Sequence, residues 1–204
     1  MIELIRKLRI VPVVSVKDSS TAADIASALI EGGLPIVEFT LRSPASLQSL
    51  KIAAQNDGLT VGVGSLRNVD DLRQAIDVGA KFAVSAGFSP TVATEANRLG
   101  IPYFPGVATP TEILQAIDSG ITTLKFFPAE TIGGVNALSA MSAPFPGVSY
   151  MPTGGITSSN APDYLSIPSV VAVGGSWMVS AKLIEARDFD SIVTLTREAV
   201  EACA

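Results

Sequence analysis

The segment TTLKFFPAE, residues 122–130, places a lysine inside a run of apolar residues. Lys125 lies in a pattern typical of a buried strand, where an amine is rarely found without a specific reason. Apolar surroundings disfavour the ammonium form, and a neutral amine can attack a ketone and form a Schiff base. Glu38, in the segment PIVEFT, is the only carboxylate inside a predicted strand, and it could transfer protons in such a reaction. The pair therefore suggests amine-nucleophile chemistry.

Two structural interpretations of Lys125 compete with catalysis. Its apolar stem can follow the strand while the amine reaches solvent at the strand end. Alternatively, its amine can form a structural ion pair with Glu38. The strand pattern alone does not separate these interpretations from the catalytic one. An ion pair is also compatible with proton transfer between the two side chains.

The composition limits the chemistry and the partners of this protein. The 204 residues include no histidine and one cysteine, Cys203, which argues against zinc and excludes a histidine base. A single cysteine cannot form an internal disulfide, so we expect a cytoplasmic protein. The formal net charge of −5 argues against a nucleic-acid partner. No apolar stretch is long enough to span a membrane, so we expect no membrane association.

The elements that must position these residues alternate along the chain. Short β-branched or apolar segments are separated by helical patterns such as residues 21–33, and Asn68 and Thr109 stand where helix N-caps are expected. This alternation predicts parallel β/α units. The eight predicted strands are 10–16, 35–40, 60–65, 81–86, 102–106, 122–127, 148–154 and 170–175.

Eight such units predict a compact (β/α)8 TIM barrel with an N-terminal helix, formed by one domain over residues 1–204. An open doubly wound sheet with the same local pattern is the alternative. The segment GVGSLR, residues 62–67, lacks the third glycine of a dinucleotide-binding fingerprint, so it supports that alternative only weakly. The barrel is therefore the preferred prediction.

Polar residues at the predicted strand ends form the candidate site, because barrel active sites lie at the carboxyl ends of the strands. Glycine clusters follow the seventh and eighth strands, and their backbone N–H groups predict a phosphate site. Tight turns that simply require glycine are the structural alternative. Lys81 opens the fourth strand at the opposite face and is interpreted as a solvated lysine. The strand-end residues are Glu38, Thr40, Arg42, Ser65, Lys125, Thr153, Gly154, Gly155, Gly174, Gly175 and Ser176.

Four segments resemble the aldolase family that acts on 2-keto-3-deoxy-6-phosphogluconate (KDPG) and 4-hydroxy-2-oxoglutarate (KHG). They are GLPIVEFTLR at 33–42, GITTLKFFPAETIGG at 120–134, PTGGI at 152–156 and GGSW at 174–177. The resemblance covers essentially the whole chain. It implies a class I aldolase on a (β/α)8 barrel, usually a homotrimer, that needs no metal and no organic cofactor. It also implies cleavage of the phosphorylated 2-keto acid to pyruvate and glyceraldehyde 3-phosphate in the Entner–Doudoroff pathway.

The same resemblance implies residue roles. Lys125 would form the Schiff base, Glu38 would be the general acid and base, and Arg42 would hold the pyruvate carboxylate through its forked guanidinium. The other implied substrate contacts are Ser65, Phe127 and Thr153. The implied phosphate-binding residues are Gly154, Gly155, Gly175 and Ser176.

The chain departs from the family pattern at three positions. Phe39 stands where an aliphatic residue is usual, Ser65 where threonine is usual, and Ala86 where proline is usual. Serine lacks the β-branch that restricts a threonine rotamer, and alanine would remove a rigid wall from the pyruvate pocket. These departures bear on substrate preference and rate rather than on the lysine chemistry.

Two other functions remain open at this level. One is the same chemistry on another 2-keto acid, namely 4-hydroxy-2-oxoglutarate, the galactonate-derived epimer of KDPG, or oxaloacetate, which would be decarboxylated. The other is a phosphate-binding barrel without lyase activity, in which the Lys125–Glu38 pair is only structural.

Overall fold

The structure, a computed structural model, describes residues 1–203, in which helices and parallel strands alternate. The strands are β1 Ile10–Val14, β2 Ile36–Thr40, β3 Thr60–Leu66, β4 Phe82–Ser85, β5 Tyr103–Phe104, β6 Gly106–Val107, β7 Thr123–Phe126, β8 Ser149–Pro152 and β9 Val173–Gly175. The helices are α1 Ile2–Leu8, α2 Ala22–Glu31, α3 Ser46–Ala53, α4 Val69–Asp77, α5 Pro90–Leu99, α6 Pro110–Asp118, α7 Gly134–Ser142, α8 Ala161–Leu165, α9 Ala181–Ala186 and α10 Phe189–Cys203. Short 3₁₀ turns occupy Ser19–Thr21 and Trp177–Val179.

The strands form two open parallel sheets. One sheet has six strands in the order β5-β4-β3-β2-β1-β9, and the other has three in the order β6-β7-β8. The prediction of a closed eight-stranded (β/α)8 barrel is therefore wrong. The predicted alternation, the parallel pairing and the N-terminal helix α1 are confirmed.

Proline and register explain why the ring of strands is interrupted at two places. Pro105 divides the fifth predicted strand into β5 and β6, since proline has no N–H to donate to a ladder. Each two-residue piece then pairs with a different sheet. At the other edge, isolated bridges join Tyr150 to Val170 and Thr153 to Gly174, and they differ in register by one residue. An extra residue of this kind disrupts a continuous ladder.

Two hydrophobic clusters lie on opposite sides of the strands. The larger one packs the helices against the outer faces, and Phe39 of β2 belongs to it. The smaller one lies between the strands and includes Val11, Phe82 and Met151. Ile5 of α1 is fully buried in that smaller cluster. Because Val11 and Phe82 stand near the starts of their strands, α1 closes the amino end of the strand interior.

Helix starts are fixed by side-chain caps at the predicted positions. The Asn68 side chain accepts a hydrogen bond from the Asp71 backbone N–H at the start of α4. Thr109 and Glu112 form a reciprocal capping box at the start of α6. These caps satisfy backbone donors that the helix itself leaves unpaired. Each cap therefore fixes the residue at which the loop after a strand ends and the next helix begins.

Candidate active site

The structure brings Lys125 and Glu38 together in the strand interior. Lys125 lies on β7 and Glu38 on β2, and their side chains are only 6% and 4% exposed. The Lys125 Nζ donates a hydrogen bond to Glu38 Oε1 at 3.3 Å. The ion pair considered from the sequence is present. It joins side chains from the two different sheets.

Gly64 makes room for the Glu38 carboxylate. A Cβ atom at position 64 would overlap Glu38 Oε1, so a residue with a side chain there would displace the carboxylate. Gly64 pairs with Thr40 in the β2–β3 ladder. Sequence reasoning did not assign this role. The only signal was the second glycine of GVGS.

A small cavity of about 10 Å³ lies beside the Lys125–Glu38 pair. Such a volume corresponds to roughly one water-sized sphere. Most of its walls are apolar, with Ile5 of α1 and Met151 of β8 among them. Thr153 adds the only other polar side chain on its walls. The pair is thus surrounded mainly by hydrocarbon, where charge interactions are stronger than in water.

A larger cleft of about 130 Å³ extends from Lys125 at the carboxyl ends of the strands. The Phe127 ring is centred 5.2 Å from Lys125 Nζ. Eight of the ten predicted site residues line this cleft. Those eight are Arg42, Lys125, Phe127, Thr153, Gly154, Gly155, Gly175 and Ser176. Val13, Ile156 and Gly174 complete the lining. Of these three, only Gly174 was among the strand-end residues predicted from the sequence.

Ser65 lies outside the cleft lining and contacts Arg42 instead. Arg42 Nε donates to Ser65 Oγ at 3.0 Å. Ser65 has φ of 59°, in the left-handed region, where the ladder between β3 and β4 shifts register. This irregularity turns the hydroxyl toward the guanidinium. Ser65 therefore contacts the cleft lining only through Arg42.

For the keto-acid substrate that the resemblance implies, we expect Ser65→Ala to raise the Michaelis constant by about two- to tenfold, because Arg42 loses one net hydrogen bond. Turnover should change little. Ser65→Thr keeps the hydroxyl and should retain the wild-type constant. It should also lower stability by about 1 kcal/mol, since a β-branched residue is disfavoured at positive φ. Steady-state kinetics and thermal unfolding check both variants. Equal kinetic losses in both would contradict the role of the hydroxyl.

The remaining singled-out residues lie away from the cleft. Phe39 is fully buried among the helix-facing side chains, since neighbouring residues of a strand point to opposite faces. Ala86 follows β4, is exposed and does not line the cleft. Lys81 precedes β4 and is exposed at the opposite end, as predicted. The departure at Phe39 thus concerns core packing.

Within residues 1–203, no helix combines the length and the apolar character needed to cross a membrane. The same residues contain no cluster of three or more histidine, cysteine, aspartate or glutamate side chains with metal-site geometry.

The model of the KDPG and KHG aldolase family matches residues 1–195. The chain belongs to the KDPG and KHG aldolase family. Its relatives in that family include the KHG/KDPG aldolase of Escherichia coli K12, which is 42% identical over 94% of this chain and 91% of that protein. The 2-dehydro-3-deoxy-phosphogluconate aldolase of Pseudoalteromonas atlantica is 40% identical over 96% of this chain and 91% of that protein.

Solved structures of KDPG aldolases have the same fold as this family member. The Zymomonas mobilis ZM4 enzyme with 3-phosphoglycerate has a TM-score of 0.92 and 40% identity, over 97% of this chain and 93% of that chain. The Legionella pneumophila enzyme holds pyruvate as a covalent carbinolamine intermediate. It has a TM-score of 0.92 and 33% identity, over 96% of both chains.

Proposed function

We propose that this family member is a class I aldolase that cleaves KDPG to pyruvate and glyceraldehyde 3-phosphate through a Schiff base on Lys125. The buried Lys125–Glu38 pair at the inner end of the cleft carries the proposal. The carbinolamine of the Legionella pneumophila relative supports the lysine chemistry. The names of the curated relatives support the substrate.

The cleft holds the substrate by its two anionic ends. The Arg42 guanidinium lines the cleft and pairs with the carboxylate next to the keto group, a geometry that favours two parallel hydrogen bonds. The loops at 153–155 and 174–176 line the cleft and receive the phosphate on backbone N–H groups. Thr153 donates a hydrogen bond to the bound substrate, and Phe127 packs against its carbon chain. The keto carbon then lies at Lys125.

The first half of the reaction forms the Schiff base. Glu38 takes one proton from Lys125 Nζ, and the neutral amine adds to the 2-keto carbon. The product is a carbinolamine. Glu38 then donates a proton to the leaving hydroxyl, and water departs to give a protonated imine. No step requires a metal ion or an organic cofactor.

The second half breaks the carbon–carbon bond. Glu38, now a carboxylate again, takes the proton of the 4-hydroxyl, and the aldehyde forms as the bond between C3 and C4 breaks. The electron pair of that bond moves into the imine and leaves an enamine on Lys125. Protonation of C3 and addition of water then release pyruvate and regenerate the amine.

KHG is the second candidate substrate, because the family model and the Escherichia coli relative carry both names. The lysine chemistry is identical for the two substrates. They differ at the end that would occupy the glycine loops, where KDPG carries a phosphate and KHG a shorter carboxylate. Comparing the two substrates therefore separates the chemical step from phosphate recognition. The galactonate-derived epimer and oxaloacetate test the same pocket for stereochemistry and for decarboxylation.

A carboxylate at position 176 should repel the substrate phosphate. We expect Ser176→Asp to raise the Michaelis constant for KDPG about a hundredfold, because opposed like charges cost several kcal/mol. The constant for KHG should rise less, because its distal group is a shorter carboxylate with a single negative charge. Ser176→Asn is the matched neutral control and should stay near the wild type for both substrates. If Ser176→Asp affects KDPG and KHG equally, the loops do not hold the phosphate.

The assembly and the location of the protein remain predictions from the family resemblance. We propose a homotrimer in the cytoplasm, acting in the Entner–Doudoroff pathway. Sedimentation of the purified protein measures the oligomeric state directly. A monomer at working concentration would contradict the trimer.

A further inference from the structure

Beyond the residues that line the cleft, Glu130 and Tyr164 lie directly behind one of the glycine loops. Glu130 belongs to the turn that follows β7, and its backbone N–H donates to the Gly154 carbonyl at 3.0 Å. The neighbouring Ala129 N–H donates to the Thr153 carbonyl at 2.8 Å. The turn that leaves the lysine strand is therefore attached to the loop by its backbone.

The Glu130 side chain occupies the space that a side chain at Gly155 would need. A Cβ atom at position 155 would lie 2.6 Å from Glu130 Cγ, and Gly155 has a φ of 81°. Both the contact and the backbone conformation require glycine there. The stem of Glu130 therefore covers the loop from behind, and the loop cannot shift toward the turn without displacing it.

Tyr164 fixes the carboxylate end of Glu130. Its hydroxyl donates to Glu130 Oε1, and the tyrosine, on α8, is fully buried. Burial, together with the hydrogen bond to Glu130, raises the pKa of Tyr164, so the hydroxyl remains a donor. Glu130 consequently keeps one orientation. Glu130 is otherwise exposed, so this hydrogen bond is the contact that restrains its carboxylate.

Asn160 also contacts the same loop. Its Nδ2 donates to the Gly155 carbonyl at 3.1 Å, and its Oδ1 accepts from the Thr157 N–H at 2.8 Å. Asn160 is the N-cap residue of α8, and Tyr164 lies within the same helix. Helix α8 and its N-cap residue thus restrain Gly155 in two ways. Asn160 binds the Gly155 carbonyl, and Tyr164 holds the Glu130 side chain that fills the space beside the Gly155 Cα.

We propose that the Tyr164–Glu130 hydrogen bond sets the preference for a phosphorylated over an unphosphorylated keto acid. Both are positioning residues: they hold the Gly154–Gly155 loop in shape and keep the Glu130 charge away from the bound phosphate. The inference rests on the proposed aldolase function. It predicts an effect on phosphate recognition that leaves the lysine chemistry unchanged.

Tyr164→Phe tests the inference, because it removes one hydroxyl and keeps the ring in the core. We expect the Michaelis constant for KDPG to rise about three- to tenfold, the effect of one lost hydrogen bond. Turnover of KDPG, the constant for KHG and the trapping of pyruvate by borohydride should stay within twofold of the wild type. Glu130→Gln keeps an acceptor for the hydroxyl and should not raise the constant for KDPG.

Tyr150→Phe is the matched control. Tyr150 is also fully buried, and its hydroxyl has no hydrogen-bond partner among the described residues. Its loss should alter neither substrate. If Tyr164→Phe leaves the KDPG constant within twofold, or changes KDPG and KHG equally, the inference is overturned. A wild-type protein that turns over neither substrate would instead overturn the proposed function itself.

Discussion

Lys125→Ala abolishes the borohydride trapping of pyruvate and lowers KDPG turnover by more than about 10⁴-fold, the expected result of removing a covalent nucleophile. The imine is the electron sink for bond cleavage, and no other described lysine lines the cleft. Mass spectrometry of the trapped wild-type protein should locate one adduct, on Lys125. An adduct elsewhere would contradict the mechanism.

Two further variants separate chemistry from folding. Lys125→Ala leaves the Glu38 carboxylate buried without its partner, and such a loss can destabilise the protein strongly. Lys125→Arg keeps the positive charge, but a guanidinium stays protonated and does not attack a ketone. It should fold and fail to trap pyruvate. Lys81→Ala, at the exposed opposite end, should trap pyruvate normally.

Glu38→Gln should lower turnover by about 10²–10⁴-fold, the usual contribution of a general acid–base group. Glutamine keeps the size of the side chain and a hydrogen bond to Lys125, but it cannot shuttle protons. The Michaelis constant should change much less, because Glu38 does not line the large cleft. Pre-steady-state trapping should show slower formation of the imine.

Glu38→Asp provides the matched comparison for that variant. It keeps an ionisable carboxylate but withdraws it by one methylene from the 3.3 Å contact with Lys125. Its turnover should fall between those of the wild type and Glu38→Gln. Near-normal turnover in Glu38→Gln would show that Glu38 has only a structural role, regardless of the turnover of Glu38→Asp.

The sequence predicted the parallel alternation correctly, but its prediction that the strands close into one barrel was wrong. Alternation depends on local patterns, and caps such as Asn68 and Thr109 lie where local rules expect them. Closure depends on ladder continuity between distant strands. Pro105 was visible inside a predicted strand, yet only the pairing partners reveal that its two sides join different sheets. The register shift beside Thr153 has no local signature at all.

The site was predictable where a residue type conflicted with its surroundings. Lys125 and Glu38 were identifiable because charged residues are unusual in apolar strands. Gly64 was not predicted, because its contribution is the absence of a side chain. That absence matters only because the Glu38 carboxylate occupies the space where a Cβ atom of residue 64 would lie. Tyr164 escaped because its partner, Glu130, is 34 positions away in the chain. Pairings of that kind follow from the tertiary fold.

Helix α1 covers the end of the strand interior that lies opposite the cleft. Ile5 fills the amino end of the strand interior, and the cleft that Lys125 lines lies at the carboxyl ends of the strands, so we expect substrate and products to pass through that cleft. The two products of cleavage should then leave in sequence, the one nearer the opening of the cleft before the one nearer Lys125. We expect the phosphorylated aldehyde, bound at the glycine loops, to depart first. The pyruvate half, held covalently by Lys125, should remain until water reaches it through the space that the aldehyde leaves.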